Sequence, residues 1–248
     1  MEIRSVRKAT DILTLLAGDP ESPMPLAEIA ERLGMNKSTC AHILSTLCDS
    51  LYVERVSQRD GYRLGAGTFM LTRYGRYQES LIEIATPVMK WLWRQVGHSI
   101  VLTVISGGVK YIVLHLDGQM GDDQRRVKIK QGHIDTTATG QLLMAYMNPD
   151  ELDKALKRLG ESQTATSERL RQIRVDGTAY VYNPDEGSHS YAFRITENKR
   201  TTAAIGIFFT DADKTDELVA KTKKCGAIAA REIERRLKFK KTEENPDA

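Results

Sequence analysis

Two short helical stripes separated by a single glycine constrain this chain more than any other feature. Leu26, Ile29, Ala30 and Leu33 fall at i, i+3, i+4 and i+7, Gly34 stops the run, and Cys40, Ile43, Leu44 and Leu47 repeat the spacing. Ala30 stands where the two helices approach closely, and Gly34 permits the tight turn between them. Asn36 or Ser38 supplies the N-cap of the second helix. The face of that helix away from its apolar stripe carries Lys37, Ser38, Ala41, His42 and Ser45, small or hydrogen-bonding side chains with no carboxylate among them.

The flanks extend the pattern. Val6, Ala9, Ile12, Leu13 and Leu16 predict a helix over Ser5 to Ala17, ended by Asp19-Pro20. Tyr52 to Val56 and Tyr62 to Leu64 predict two strands around the hairpin signal Arg59-Asp60-Gly61. The order is that of a winged helix-turn-helix, in which the first helix of the pair braces the second so that its N-terminal residues reach base edges in the major groove. A three-helix packing unit with a solvated polar face fits the periodicity equally well. Bulk charge does not choose between them, because residues 1–67 hold eight Lys or Arg against nine Asp or Glu. Placement favours DNA: Arg4, Arg7 and Lys8 lie at the start, Lys37 on the recognition helix, and Arg55, Arg59 and Arg63 on the hairpin.

Beyond residue 67 the texture changes. A helical connector runs from Thr68 to about Ala85, and Pro87 near an N1 position predicts the start of a second helix. Strands are expected over Ser99 to Ile105, Val109 to Leu116, Arg126 to Lys130, Thr178 to Tyr182, Ser190 to Ile195 and Thr201 to Thr210. Helices are expected over Thr137 to Met147, from Asn148-Pro149-Asp150-Glu151 onward, and over Thr215 to Leu237, followed by a frayed tail from Lys238 to Ala248. The fold class is α+β. Tyr180, Tyr182, His189, Tyr191 and Arg194 crowd the late strands, and alternation turns only some of them inward. Arg194 reads as a surface salt-bridge residue; if inward, it would favour an anionic ligand.

Several function classes drop out. Cys40, Cys48 and Cys225 make neither a metal ribbon nor a disulfide framework. Metal-ligand spacing is missing from the five histidines, and Asp211-Ala212-Asp213 reads as a helix N-cap cluster instead of a calcium loop. No nucleophile elbow, zincin, P-loop or dinucleotide fingerprint occurs, so neither catalysis nor a cofactor is expected. Ile100 to Ile105, the longest strongly apolar run, is far short of the ~20 residues that span a bilayer, and MEIRSVRKAT lacks the apolar core of a secretory signal. A cytoplasmic location is the expectation.

Four motifs then carry a resemblance. Ser5-Val6-Arg7-Lys8-Ala9 with Ile12-Leu13, Leu26-Ala27-Glu28-Ile29-Ala30 with Leu33-Gly34, Lys37-Ser38-Thr39 with Leu44 and Leu47, and Tyr62-Arg63-Leu64-Gly65 resemble, in order, the N-terminal domain of the IclR family of bacterial transcriptional regulators. Thr137 to Ala145 resembles the family's glycine-containing turn into a helix, and Ala229-Ala230-Arg231-Glu232-Ile233 its final helix, so the likeness spans residues 3 to 237. It implies a winged helix-turn-helix over 1–67, a dimerising linker helix over 68–85, a GAF-like effector-binding domain over 86–237 and a flexible tail over 238–248. It implies DNA contacts from Lys37, Ser38, Thr39 and His42, with Arg59 and Arg63 from the wing. Ser45, Arg55 and Arg7 join them by placement. Many relatives carry arginine where His42 stands. For the effector, often a carboxylate or aromatic acid, the resemblance implies Ala138, Thr139, Gly140, Ser190, Ala192 and Gly206. The expected activity is repression, by a homodimer or dimer of dimers on a palindromic operator. A small-molecule sensor or enzyme without DNA binding is the alternative, separable by salt dependence of binding.

Overall fold

Why the chain divides where it does follows from where its apolar side chains find partners. In the computed structural model, which describes residues 2–20, 22–57, 60–73, 78–106, 109–117, 134–159, 167–197 and 200–244, the contacts separate into units Met1–Tyr77 and Gln78–Ala248. The boundary is not placed by proline. Pro87, read above as a helix start, lies inside the helix Glu79–Val96. Leu81, Ala85, Val88, Met89, Leu92 and Val96 bury one continuous stripe across it, which offsets the roughly 3 kcal/mol an interior proline costs. Thr86, just before the proline, donates its hydroxyl to the Ile82 carbonyl at 2.6 Å.

The first unit contains α1 (Arg4–Ala17), α2 (Leu26–Arg32), α3 (Lys37–Asp49), β1 (Val53–Ser57), β2 (Gly61–Leu64) and α4 (Ala66–Arg73). Ile12, Leu16, Ile29, Ala30, Cys40, Leu44, Leu47 and Val53 form its core, which comprises the two stripes and their flanks. Gly34 turns between α2 and α3 with φ +59°, and the next amide, Met35, donates to the Ala30 carbonyl at 2.8 Å. A link that periodicity does not reveal ties the hairpin down. Met24 and Tyr62 exchange two backbone hydrogen bonds of 2.8 and 2.9 Å, and Gly61, at φ +98°, fits there because a Cβ would stand 2.3 Å from the Met24 oxygen.

The second unit is built on an antiparallel sheet in the order β4-β3-β7-β6-β5, from β3 (Ser99–Ser106), β4 (Val109–Leu116), β5 (Thr178–Asn183), β6 (Ser188–Glu197) and β7 (Arg200–Thr210). Strand alternation gives its faces different characters. One face presents Ile100, Leu102, Tyr191, Phe193, Ile195, Ile205, Ile207 and Phe209 to α5 (Glu79–Val96) and α9 (Asp216–Glu244). The other presents Ala179, Ala192 and Ala204 to α6 (Ala138–Ala145) and α8 (Ser167–Asp176), with α7 (Pro149–Leu159) between those helices in sequence. Helix α8 is unanticipated, because Leu170 and Ile173 are its only buried positions and too sparse to mark a stripe. Of the expected tail, residues 238–244 continue a helix, and 245–248 lie outside the described residues. Helix α9 runs on to Glu244, with Arg235 5.3 Å from the Phe239 ring and Lys240 3.2 Å from Glu83 of α5. The expected strand Arg126 to Lys130 lies outside the described residues. Among the described residues no helix is long and apolar enough to cross a membrane.

Candidate functional site

Helix α3 begins at a cap that frees its outer face. Asn36 Oδ1 accepts from the Ser38 amide and the Ser38 hydroxyl, both at 2.8 Å, so the first turn is held by Asn36. With Cys40, Leu44 and Leu47 turned into the core, Lys37, Ser38, His42 and Ser45 are exposed in one row, and Thr39 and Ala41 are half-buried at its border. That row combines one permanent cation, hydroxyls and an imidazole at a helix N-terminus, which suits phosphate and base edges together.

The hairpin divides the cations that the sequence groups. Glu54 pairs across the ribbon with Arg63, and Arg55 with Tyr62, so Arg55 and Arg63 project from opposite faces. Arg55 lies over the Tyr62 ring, 5.7 Å from its centroid, while Arg63 is held in an ion pair by Glu54. Arg7 pairs with Glu2 at 2.6 Å. Arg59 lies outside the described residues.

In the second unit, Thr137 caps α6 by accepting from the Gly140 amide, at 3.3 Å. Gly140 is a steric requirement here: a Cβ would stand 1.7 Å from the Ile134 carbonyl oxygen. A Cβ on Gly206 of β7 would meet Thr139 Cγ2 at 2.7 Å and Val101 Cγ2 at 2.9 Å, and Ala192 pairs with Gly206 across the strands. The structure therefore brings Ala138, Thr139, Gly140, Ala192 and Gly206 together where α6 meets the sheet. Ser190, one step along the same face, donates its hydroxyl to the Val181 carbonyl at 3.2 Å.

Sequence reasoning missed two polar residues on this face. Lys110 of β4, only 7% exposed, donates from Nζ to Thr137 Oγ1 at 2.9 Å, which sets an ammonium beside the positive end of α6. Thr103 of β3 is fully buried, and its hydroxyl has no hydrogen-bond partner among the described residues. A charged residue in the apolar run Val109 to Leu116, opposite inward Ile105, is the signal that could have found Lys110.

The aromatic crowd sorts by face. Tyr180, Tyr182, His189 and Tyr191 gather on the α9 side, where Tyr180 Oη lies 2.8 Å from His189 Nδ1, His189 Nε2 lies 2.7 Å from Asp211, and Tyr182 donates to Asp211 at 2.9 Å. The His189 bond, then that from Tyr182, holds the Asp211 carboxyl below the usual carboxylate range. The arrangement satisfies every partner with Nε2 protonated and Nδ1 accepting from Tyr180. Arg194 faces the other way and stacks on Tyr146, 4.3 Å from the ring centroid, in place of the expected salt bridge.

Comparison with known proteins agrees with this division. The model of the IclR helix-turn-helix domain matches residues 5–57, and that of the bacterial transcriptional regulator IclR C-terminal matches residues 77–235. The chain is 26% identical over 190 residues to the HTH-type transcriptional regulator TtgV of Pseudomonas putida, covering 71% of this chain and 70% of that protein. It is 21% identical over 250 residues to the transcriptional repressor IclR of Escherichia coli, covering 94% of this chain and 89% of that one. Its fold is similar to that of an IclR homolog from Microbacterium hydrocarbonoxydans complexed with 4-hydroxybenzoate, with a TM-score of 0.68 at 15% identity, over 92% of this chain and 98% of that one.

Proposed function

The chain belongs to the IclR family of bacterial transcriptional regulators, and from that premise we propose that it represses transcription as a homo-oligomer on a palindromic operator, released or retained by a small organic acid. As a family member it is a transcription regulator with a DNA-binding domain and a ligand-binding domain, and not an enzyme.

The observation that carries the proposal is the exposed, carboxylate-free row on α3. Lys37, Ser38, Thr39, His42 and Ser45 read the major groove, and Arg55, Arg59, Arg63 and Arg7 take phosphate or the minor groove. The exposed Phe69, Met70 and Leu71 of α4 support the oligomer, since three successive large apolar side chains in water favour a partner surface. Repression is suggested by the name of the Escherichia coli relative. The acid reading rests on α6, where helix N–H groups, Thr137 and the Lys110 ammonium converge near Ala138, Thr139, Gly140, Ser190, Ala192 and Gly206. A cytoplasmic location follows from the DNA target.

Fluorescence anisotropy of the full chain against DNA upstream of its own gene tests the proposal. Selective binding that falls by roughly 10³–10⁵ between 50 and 200 mM salt is expected for a dimer making six to ten phosphate contacts. Equal affinity for unrelated DNA, or no binding with or without candidate acids, would overturn it.

A further inference from the structure

A cleft of about 360 Å³ opens at the β5 edge of the sheet, between α8 and α9. Its size suits a single-ring ligand. Ile173, Tyr191 and Phe193, all buried, form the floor, and Tyr180 forms a wall. Small residues on α9 leave the space. Ala227 borders it, and beside Ala227 a Cβ on Gly226 would meet the Phe193 ring at 2.2 Å, so the ring slides beneath the helix backbone only because that residue is glycine.

The walls are fixed before any ligand arrives. The Tyr180 hydroxyl is tied to His189, itself tied to Asp211, and the Tyr180 carbonyl accepts from Arg169 of α8. The Tyr180 and Tyr191 rings lie 4.8 Å apart and tilted by 39°. Little ordering remains to oppose binding. Charge gives the cleft a preference. Lys223, one turn before Ala227 on α9, and Arg169 supply two cations against Asp176, whose carboxylate already accepts from Gln172 at 2.8 Å.

The geometry points to a second ligand site that takes a planar aromatic carboxylate, its ring against Tyr180 and Tyr191 and its carboxylate on Lys223. The cleft is distinct from the α6 contact, because Tyr180, Tyr191 and Phe193 lie on the sheet face opposite Ala192 and Gly206. Arg169 links them: its Nε donates to Gln141 of α6 at 3.4 Å while the same guanidinium holds the Tyr180 carbonyl. A ligand that displaces Tyr180 or Arg169 is therefore felt at α6. This inference stands whether or not the α6 site takes an acid.

Titration of the full chain, carrying ¹³C-labelled alanine methyls, with benzoate tests it. A saturable shift at Ala227, the alanine that borders the cleft from α9, is expected, with a Kd on the order of 1 mM for so small a ligand. Lys223→Ala weakens binding about five- to tenfold, as does replacing benzoate by neutral benzamide, whereas Lys223→Arg preserves it. Ala227→Leu fills the cleft and abolishes the binding that depends on Lys223. Shifts confined to Ala138, Ala192 and Ala204, or an affinity indifferent to both Lys223→Ala and Ala227→Leu, or no saturable shift at Ala227, would each overturn the inference.

Discussion

Gly140→Ala puts one methyl where no room exists. Its carbon would stand 1.7 Å from the Ile134 oxygen and 3.0 Å from Thr137 Oγ1. An ordinary contact needs roughly 3.2 Å or more, so the turn before α6 must retreat by about 1.5 Å or the helix must shift by as much. Either movement pulls on the Thr137 cap, at 3.3 Å, and on the bond from Gln141 Nε2 to the Asp135 carbonyl, at 2.7 Å. Losing the cap costs about 1 kcal/mol, the buried hydrogen bond about 1–3, and the residual overpacking about 1–3. These add to about 3–7 kcal/mol, less about 1 kcal/mol gained because alanine is the better helix former, so the expected destabilisation is about 2–6 kcal/mol. The loss falls on the second unit alone, since every atom involved belongs to it. Urea unfolding should move the transition of the second unit to lower midpoint with its slope preserved, and leave the first unfolding as in the parent. Operator binding should survive in anisotropy at low temperature. A loss below 1 kcal/mol would show that this turn yields cheaply, and the steric reason for glycine at position 140 would then be wrong.

Other expectations follow from charge. Lys37→Ala should lower the salt slope of operator binding by about one and weaken it across sequences, measured by anisotropy at several salt concentrations. Glu54→Gln should tighten DNA binding, because it releases Arg63 from its ion pair, while Arg63→Ala in that background should cancel the gain. His42→Arg should strengthen binding and shift base preference toward guanine, read by competition with a library of half-sites. Glu232 is pulled down to about 2 from an ordinary 4.5, first by its hydrogen bond to Arg235 and then by that to Arg236. A carboxyl with a lowered folded-state value stabilises above its unfolded value, so the stability gap between the parent and Glu232→Gln should be constant above pH 4.5 and close as pH falls toward about 2.

Much of the first unit was legible because its information is local. The stripes around Gly34 fix two helices, Asn36 caps the second, and the outward row follows from 3.6 residues per turn. Opposite placement of Arg55 and Arg63 was not legible, because it depends on the register of the hairpin, and that register includes an irregularity between Arg55 and Ser57. The Met24 to Tyr62 bridge joins segments far apart in sequence through a single residue pair, which leaves no periodic trace. In the second unit, strands of period two were readable, but the inward direction of Lys110 was not, because it depends on the register of β4 against β3, which has an irregularity between Leu102 and Thr103. Helix α8 was hidden for the opposite reason: SERLRQIRVD buries only Leu170 and Ile173, and its place is set by tertiary contacts with α6 and β5.

The unequal faces of the sheet bear on how a ligand can act. Large side chains weld α5 and α9 to one side, whereas Ala179, Ala192, Ala204 and Gly206 on the other give α6 little to grip. Helix α6 compensates by burying all eight of its residues and by hydrogen bonds that pass through single atoms, Thr137 Oγ1 and the Gln141 amide among them. Packing that depends on a few polar contacts has discrete alternatives, and opening of such a layer costs less than opening the core beneath it. An effector acts only to the extent that it prefers one of those alternatives. If it changes operator affinity 30-fold, about 2 kcal/mol, operator DNA must change effector affinity by the same factor. The sheet face that looks underfilled is, on this argument, the one on which such a preference can be expressed.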